Sequence, residues 1–208
     1  MGMKDYIDEM NKSRKANGYK TIDEVIDLAQ TNTVFDLFSV LISGTVSVGD
    51  GNIFYPNVLI QNIGGKISIG QNNTFFGGTR IISEYGEIFV GNDNEIGENS
   101  ISIKSNKSQI TIKNECRLMG GAQITDDCYL GNGSQVLGNI KMAKCILSDG
   151  KSYREKNPNN RGGVIKGYGI ASSLKIDIGM VISGNGKFSI DDIILQEKNH
   201  PDWMTEAH

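Results

Sequence analysis

The chain holds two histidines, His200 and His208, and three cysteines, Cys116, Cys128 and Cys145. Removing a proton from a hydroxyl at neutral pH calls for a base with a pKa near 7, the natural range of histidine. His200, in Asn199-His-Pro-Asp-Trp203, is the residue that fits, with Asp202 or Asp192 to orient its ring. Its plainer reading is a surface side chain in a polar C-terminal tail, although the only tryptophan stands beside it. His208 ends the sequence and is expected to be inert. The substitute base is a carboxylate with a raised pKa, and Asp126 and Asp127 are the candidates. On an extended segment neighbouring carboxylates point to opposite sides, so the two act jointly only if a turn gathers them. Otherwise they are turn residues.

A second group is cationic. Within Ser148-Asp-Gly-Lys-Ser-Tyr-Arg-Glu-Lys-Asn-Pro-Asn-Asn-Arg-Gly-Gly163 lie Lys151, Arg154, Lys156 and Arg161, with Lys166 just beyond. These side chains suit the phosphates of coenzyme A or of a nucleotide sugar; the alternative is a mobile, solvated loop. Gly150-Lys-Ser152 is not a phosphate loop, because the upstream glycine and the following helix are missing. The cysteines form no Cys-x-x-Cys pair and have no histidine near them in sequence, so no metal site is expected.

The elements that must position these residues follow a period of six. Val48, Phe54 and Ile60 are six apart; after three extra residues come Ile69, Phe75 and Ile81; after three more, Val90, Ile96 and Ser102. Four extra residues lead to Ile112, and Leu118, Ile124, Leu130, Val136 and Met142 then follow without a gap. After an interruption at 143–163 the series resumes as Val164, Ile170, Ile176, Ile182, Phe188 and Ile194. Such a period belongs to a hexapeptide β-helix: each short strand turns one large residue inward, the chain turns, and three strands close a coil of about 18 residues. Coils stack at the β-sheet spacing, about 4.8 Å. Grouped by threes the steps give about seven coils, with every interruption after a third strand, so all loops are expected at one corner. The smaller residue two before each large one also points inward. Asn52, Asn73 and Asn94 should therefore form a hydrogen-bonded ladder, continued by Cys116, Ser134 and Tyr168. Cys128 occupies a small inward position on another side. Gly49, Gly70, Gly91 and Gly131 follow inward residues, where crowding or an unusual φ favours glycine. A right-handed β-helix is the alternative, but the gap-free stretch argues against it.

Residues 3 to about 30 read as helical, with Thr21-Ile-Asp-Glu24 as a capping box and Ile22, Val25, Ile26 and Ala29 on one face. The expected organisation is an N-terminal helical cap over 1–41, a β-helix over 42–194 and a C-terminal tail over 195–208. Val34, Phe35, Leu37 and Phe38 are expected to help close the first end, and the tail the other. A net charge of −3 gives no reason to expect nucleic acid as a partner. No run of about 18 apolar residues is present to span a membrane, and the start of the sequence has no apolar signal-peptide core. With cysteines in no disulfide pattern, the expected compartment is the cytoplasm.

The motif aliphatic-Gly-x-x-small-x, at Val48-Gly49, Ile69-Gly70, Val90-Gly91 and Leu130-Gly131, resembles the hexapeptide-repeat acyltransferase superfamily over roughly residues 42–194. Those enzymes are left-handed β-helices and include bacterial sugar, serine and polysaccharide O-acetyltransferases. The segment from Gln109 to Leu118 is similar to the coil leading into the active site of capsule and sialic-acid O-acetyltransferases. The resemblance implies a homotrimer, acetyl-CoA or another acyl-CoA bound between neighbouring prisms, and a histidine base acting on an acceptor hydroxyl. That histidine should closely follow Ile124; here the chain reads Thr125-Asp-Asp-Cys-Tyr-Leu130. Two functions are therefore expected to compete. One is an acyl-CoA-dependent acyltransferase acting on a sugar or surface-polysaccharide precursor. The other is a catalytically inactive trimeric scaffold or carbohydrate-binding module. A γ-class carbonic anhydrase would need three zinc-binding histidines, which two cannot supply.

Overall fold

The structure, a computed structural model, describes residues 2–199. Between residues 33 and 187 the chain is a parallel β-solenoid of about seven turns with three faces. The first face carries the stacked interior residues Val48, Ile69, Val90, Ile112, Leu130, Leu147 and Ile176. The second carries Val34, Phe54, Phe75, Ile96, Leu118, Val136, Ile165 and Ile182. The third carries Ile42, Ile60, Ile81, Ile103, Ile124, Met142 and Ala171. All but Val48 and Val34 of these residues are fully buried in one continuous core. Stacking like on like lets Phe54 and Phe75 lie with ring centroids 5.2 Å apart and nearly parallel.

Three details differ from the hexad count. Ser102 does not point inward; Ile103 does, in register with Ile81. The extra residue is absorbed by a bulge where the strand Glu95–Glu98 shifts register against Arg117–Met119, and Gly97 takes a φ of +120° there. Interior residues flanking the third corner are then nine apart in all three long coils: Ile60 to Ile69, Ile81 to Val90, Ile103 to Ile112. Second, residues 146–147 form a first-face strand in register with Tyr129–Leu130. The interruption expected at 143–163 thus narrows to 148–163 and leaves the solenoid at the corner between the first and second faces, not at the third. Third, the first two steps after the loop slip by one, while Ile176, Ile182 and Phe188 are buried as expected. Ile165 and Ala171 fill the interior, whereas Ile170 is 54 % exposed and Tyr168 is 59 % exposed rather than on the ladder. The strand Val164–Ser172 pairs with the second face at its start and the third face at its end, turning the corner through Gly167 and Gly169.

The asparagine ladder is present. Asn52 Oδ1 accepts from both the backbone N–H and the Nδ2 of Asn73 at 2.9 Å, and Asn73 Oδ1 accepts likewise from Asn94 at 3.0 and 2.8 Å. Asn32 begins the column and Cys116 and Ser134 continue it. Gly49 and its equivalents answer to crowding rather than φ: a Cβ on Gly49 would stand 2.7 Å from the Gly70 carbonyl oxygen.

Helix α1 (Met3–Ala16) and helix α2 (Ile22–Leu28) precede the coils. The Thr21 hydroxyl accepts from Glu24 N–H at 3.2 Å while Glu24 accepts from Thr21 N–H at 2.7 Å, completing the expected capping box. Ile22 and Val25 are buried and Leu28 packs against the core, but Ile26 faces out, as do Phe35 and Phe38. The seven-residue helix presents too narrow a stripe to bury both Val25 and Ile26. Arg14 is the buried clamp: its guanidinium donates to the carbonyls of Lys20, Leu37, Phe38 and Val40. At the other end Ile194–Leu195 pair antiparallel with Met180–Val181 and cover that sheet edge. Among the described residues no helix is long and apolar enough to cross a membrane.

Candidate functional site

The outward residues of the second face repeat just before the interior ones, so Glu95, Arg117, Gln135, Val164 and Val181 form one exterior column in strict register. Residues on the outside of a solenoid are normally solvated, yet Gln135, Val164 and Val181 are buried. The segment 148–163 covers them. It is closed on itself by a bridge between Lys151 and Arg161, by Arg161 Nε donating to the Glu155 carbonyl at 2.8 Å, and by the Lys151–Glu155 ion pair at 3.0 Å. Gln196, 2 % exposed, ties the C-terminal segment over it, donating from Nε2 to the carbonyls of Gly162 and Met180. Asn159 Nδ2 donates to Glu197 across the same seam.

Tyr153 anchors this cover to the column. Two guanidiniums lie against its ring, Arg117 at 4.8 Å and Arg154 at 4.5 Å from the centroid. Its hydroxyl donates to Glu95 Oε1 at 3.0 Å, and Arg154 Nη2 reaches the same oxygen at 3.0 Å. Arg117 Nε lies 3.3 Å from Glu95 Oε2 but is not aligned for a hydrogen bond. Beside the cover is a partly open cavity of about 290 Å³, lined by Arg117, Gln135, Tyr153, Arg161, Lys166 and Asn199 and by the apolar Leu137, Val164 and Val181. Burial weakens the hold of Arg161 on its proton while Glu155 strengthens it; a guanidinium stays charged under either influence. Lys166 has no ion pair among the described residues. Buried side-chain polar atoms without a hydrogen-bond partner are rare in folded proteins. Among the described residues three occur, and two are donors on this cavity's residues: Arg117 Nε and Asn199 Nδ2.

Of the four cations expected to bind a cofactor, Arg161 and Lys166 line the cavity. Lys151 and Arg154 stand on the outer side of the cover, each holding a carboxylate. Arg117, Gln135 and Tyr153 are site residues that the sequence reading did not single out. The signal was there: Arg117 and Gln135 immediately precede Leu118 and Val136, which puts both on one exterior column.

Asp126 and Asp127 lie at the corner between the third and first faces, across the prism from the second face. Both take positive φ, 40° and 45°, as corner residues do, and Asp127 accepts from Gln109 N–H at 3.3 Å. His200 and its neighbours Asp202 and Trp203 lie outside the described residues, as does His208; Asn199 on the cavity wall directly precedes His200. All three cysteines are buried and free. Burial pushes the Cys116 thiol up to about 11 and the Cys128 thiol up to about 12, and raises Cys145 as well, so none is a ready nucleophile. Among the described residues no cluster of three or more His, Cys, Asp or Glu side chains is placed to hold a metal.

No protein-family model matches the chain, and a search of curated proteins returns no match.

Proposed function

We propose that this chain is a left-handed hexapeptide-repeat β-helix, working as a cytoplasmic homotrimer, that transfers an acyl group from acyl-CoA to a sugar or surface-polysaccharide precursor. The observation that carries the reading is the covered cationic cavity. Among the described residues, a solenoid with otherwise short connections sends one long excursion, 148–163, back over its second face, and Gln196 of the C-terminal segment ties it there. His200, which follows Asn199 in the sequence, is the proposed base. It takes the acceptor hydroxyl proton as the oxygen attacks the thioester carbonyl; the C–O bond forms, the C–S bond breaks, and the coenzyme A thiolate leaves. In this reading Lys151 and Arg154, exposed on the cover, contact the donor's phosphates, and Arg161 and Lys166, which line the cavity, add charge. A carboxylate base would have to come from Asp126 or Asp127 of a neighbouring prism, because their corner faces away from the cavity of their own protomer.

The second reading is a trimeric scaffold or carbohydrate-binding module without catalysis. It is favoured by Glu95: the carboxylate beside the cavity is already engaged by Tyr153, Arg154 and Arg117, and so is no free base. Thermal unfolding with acetyl-CoA separates the two. Ligand at 100 times its dissociation constant adds about 2.7 kcal/mol of stability, and the absence of any shift selects the module. For the enzyme, His200→Ala abolishes turnover and leaves the shift intact; full activity in that variant removes His200 from the mechanism.

A further inference from the structure

We infer that the cavity over the second face binds a phosphorylated monosaccharide, held by its phosphate on Arg117, Arg161, Lys166 and Asn199. Taken with the acyltransferase reading, on which only this identification of its role rests, the ligand is the acceptor. The cavity's charge favours an anion. Of the three cations that line it, Arg117, Arg161 and Lys166, only Arg117 forms a salt bridge with a carboxylate among the described residues, in a chain whose net charge is −3. These charges stand on the wall of a recessed, partly open cavity, where they are screened less than on a flat surface.

The walls also supply donors: the guanidiniums of Arg117 and Arg161, the Lys166 ammonium and the Asn199 amide all belong to residues that border the cavity. A carboxylate offers two oxygens and one negative charge; a phosphate monoester offers three strong acceptor oxygens and nearly two charges at neutral pH. The donor set on these walls exceeds what a carboxylate can satisfy. A further argument is size and polarity. About 290 Å³ is at the small end for ligand pockets, too small for a whole nucleotide sugar or coenzyme A and too large for phosphate alone. The lining also includes Leu137, Val164 and Val181, apolar surface for the C–H face of a sugar ring, and Gln135, an amide for its hydroxyls.

The test is titration calorimetry of the full chain with glucose 1-phosphate, glucose, glucuronate, inorganic phosphate and acetyl-CoA. The sugar phosphate should bind at least about tenfold tighter than glucose or glucuronate, and inorganic phosphate should compete with it. Lys166→Ala should weaken that binding about tenfold with the ligand-free unfolding temperature unchanged, since Lys166 makes no ion pair among the described residues, and Lys166→Arg should restore it. Glucose or glucuronate binding as tightly as the sugar phosphate overturns the inference, as does an unchanged affinity in Lys166→Ala or no binding of glucose 1-phosphate. The acetyl-CoA arm is independent: sugar phosphate binding without acetyl-CoA binding keeps this site and discards the acyltransferase. Acetyl-CoA turnover on neutral sugars, without sugar phosphate binding, does the reverse.

Discussion

At the scale of single residues, stability is concentrated in a few buried polar side chains that repeat with the coil. Asn73 is fully buried, accepts two hydrogen bonds from Asn94 and donates to Asn52 and to the Gly91 carbonyl. Truncating it strands the Asn94 donors in the core, where each unsatisfied group costs about 1–3 kcal/mol. Asn73→Ala should therefore destabilise by about 3 kcal/mol or more in urea unfolding. The cysteines give a pH prediction. Their folded pKa values lie above the unfolded value, near 8.5, with Cys116 at about 11 and Cys128 at about 12 because burial disfavours the thiolate. The folded state thus holds these protons more tightly. The associated stability is complete below the unfolded pKa and is lost as the pH rises toward 11–12. At pH 8 a thiol reagent should leave all three cysteines unmodified in the native chain, and react with all three in denaturant. Outside the core, Asp149 terminates a second ladder, Asn92–Asn114–Asn132–Asp149, running along the exterior of the corner between the first and second faces. It had not been read from the sequence, because these residues also look like ordinary turn formers.

At the scale of elements, the excursion 148–163 is the part of the molecule whose position depends most on a few contacts. Glu95 holds it through Tyr153 and Arg154, residues 58 and 59 positions away along the chain. Glu95→Ala removes these charge-assisted hydrogen bonds while leaving the interior residues Phe75, Ile96 and Leu118 untouched. A loss of about 1.4 kcal/mol raises the opened fraction of the loop about tenfold. Tryptic cleavage at Lys151, Arg154, Lys156 or Arg161 should accelerate accordingly, with the β-sheet circular dichroism preserved. The contrast with helix α2 is instructive. Its start was legible because a capping box is a local device, complete within Thr21–Glu24. The anchoring of α1 by Arg14 was not, because the carbonyls it serves lie up to 26 residues away.

At the scale of the whole molecule, what the amino-acid sequence determined by itself was the solenoid: the inward residues, the polar ladder and the number of coils. Inward and outward alternation and the demand for a small residue before each corner act within six residues, so they leave a period that can be counted. The count failed where the chain departed from the period at a point that only pairing reveals. The bulge at Gly97 moved the interior from Ser102 to Ile103, and the slip after the loop moved it from Val164 and Ile170 to Ile165 and Ala171. Tertiary structure alone decided which corner releases the long segment, which exterior column it covers, and that Arg117 rather than Lys151 or Arg154 joins Arg161 and Lys166 around the cavity. Those choices rest on contacts between residues tens of positions apart, and no local spacing encodes where a loop comes to rest.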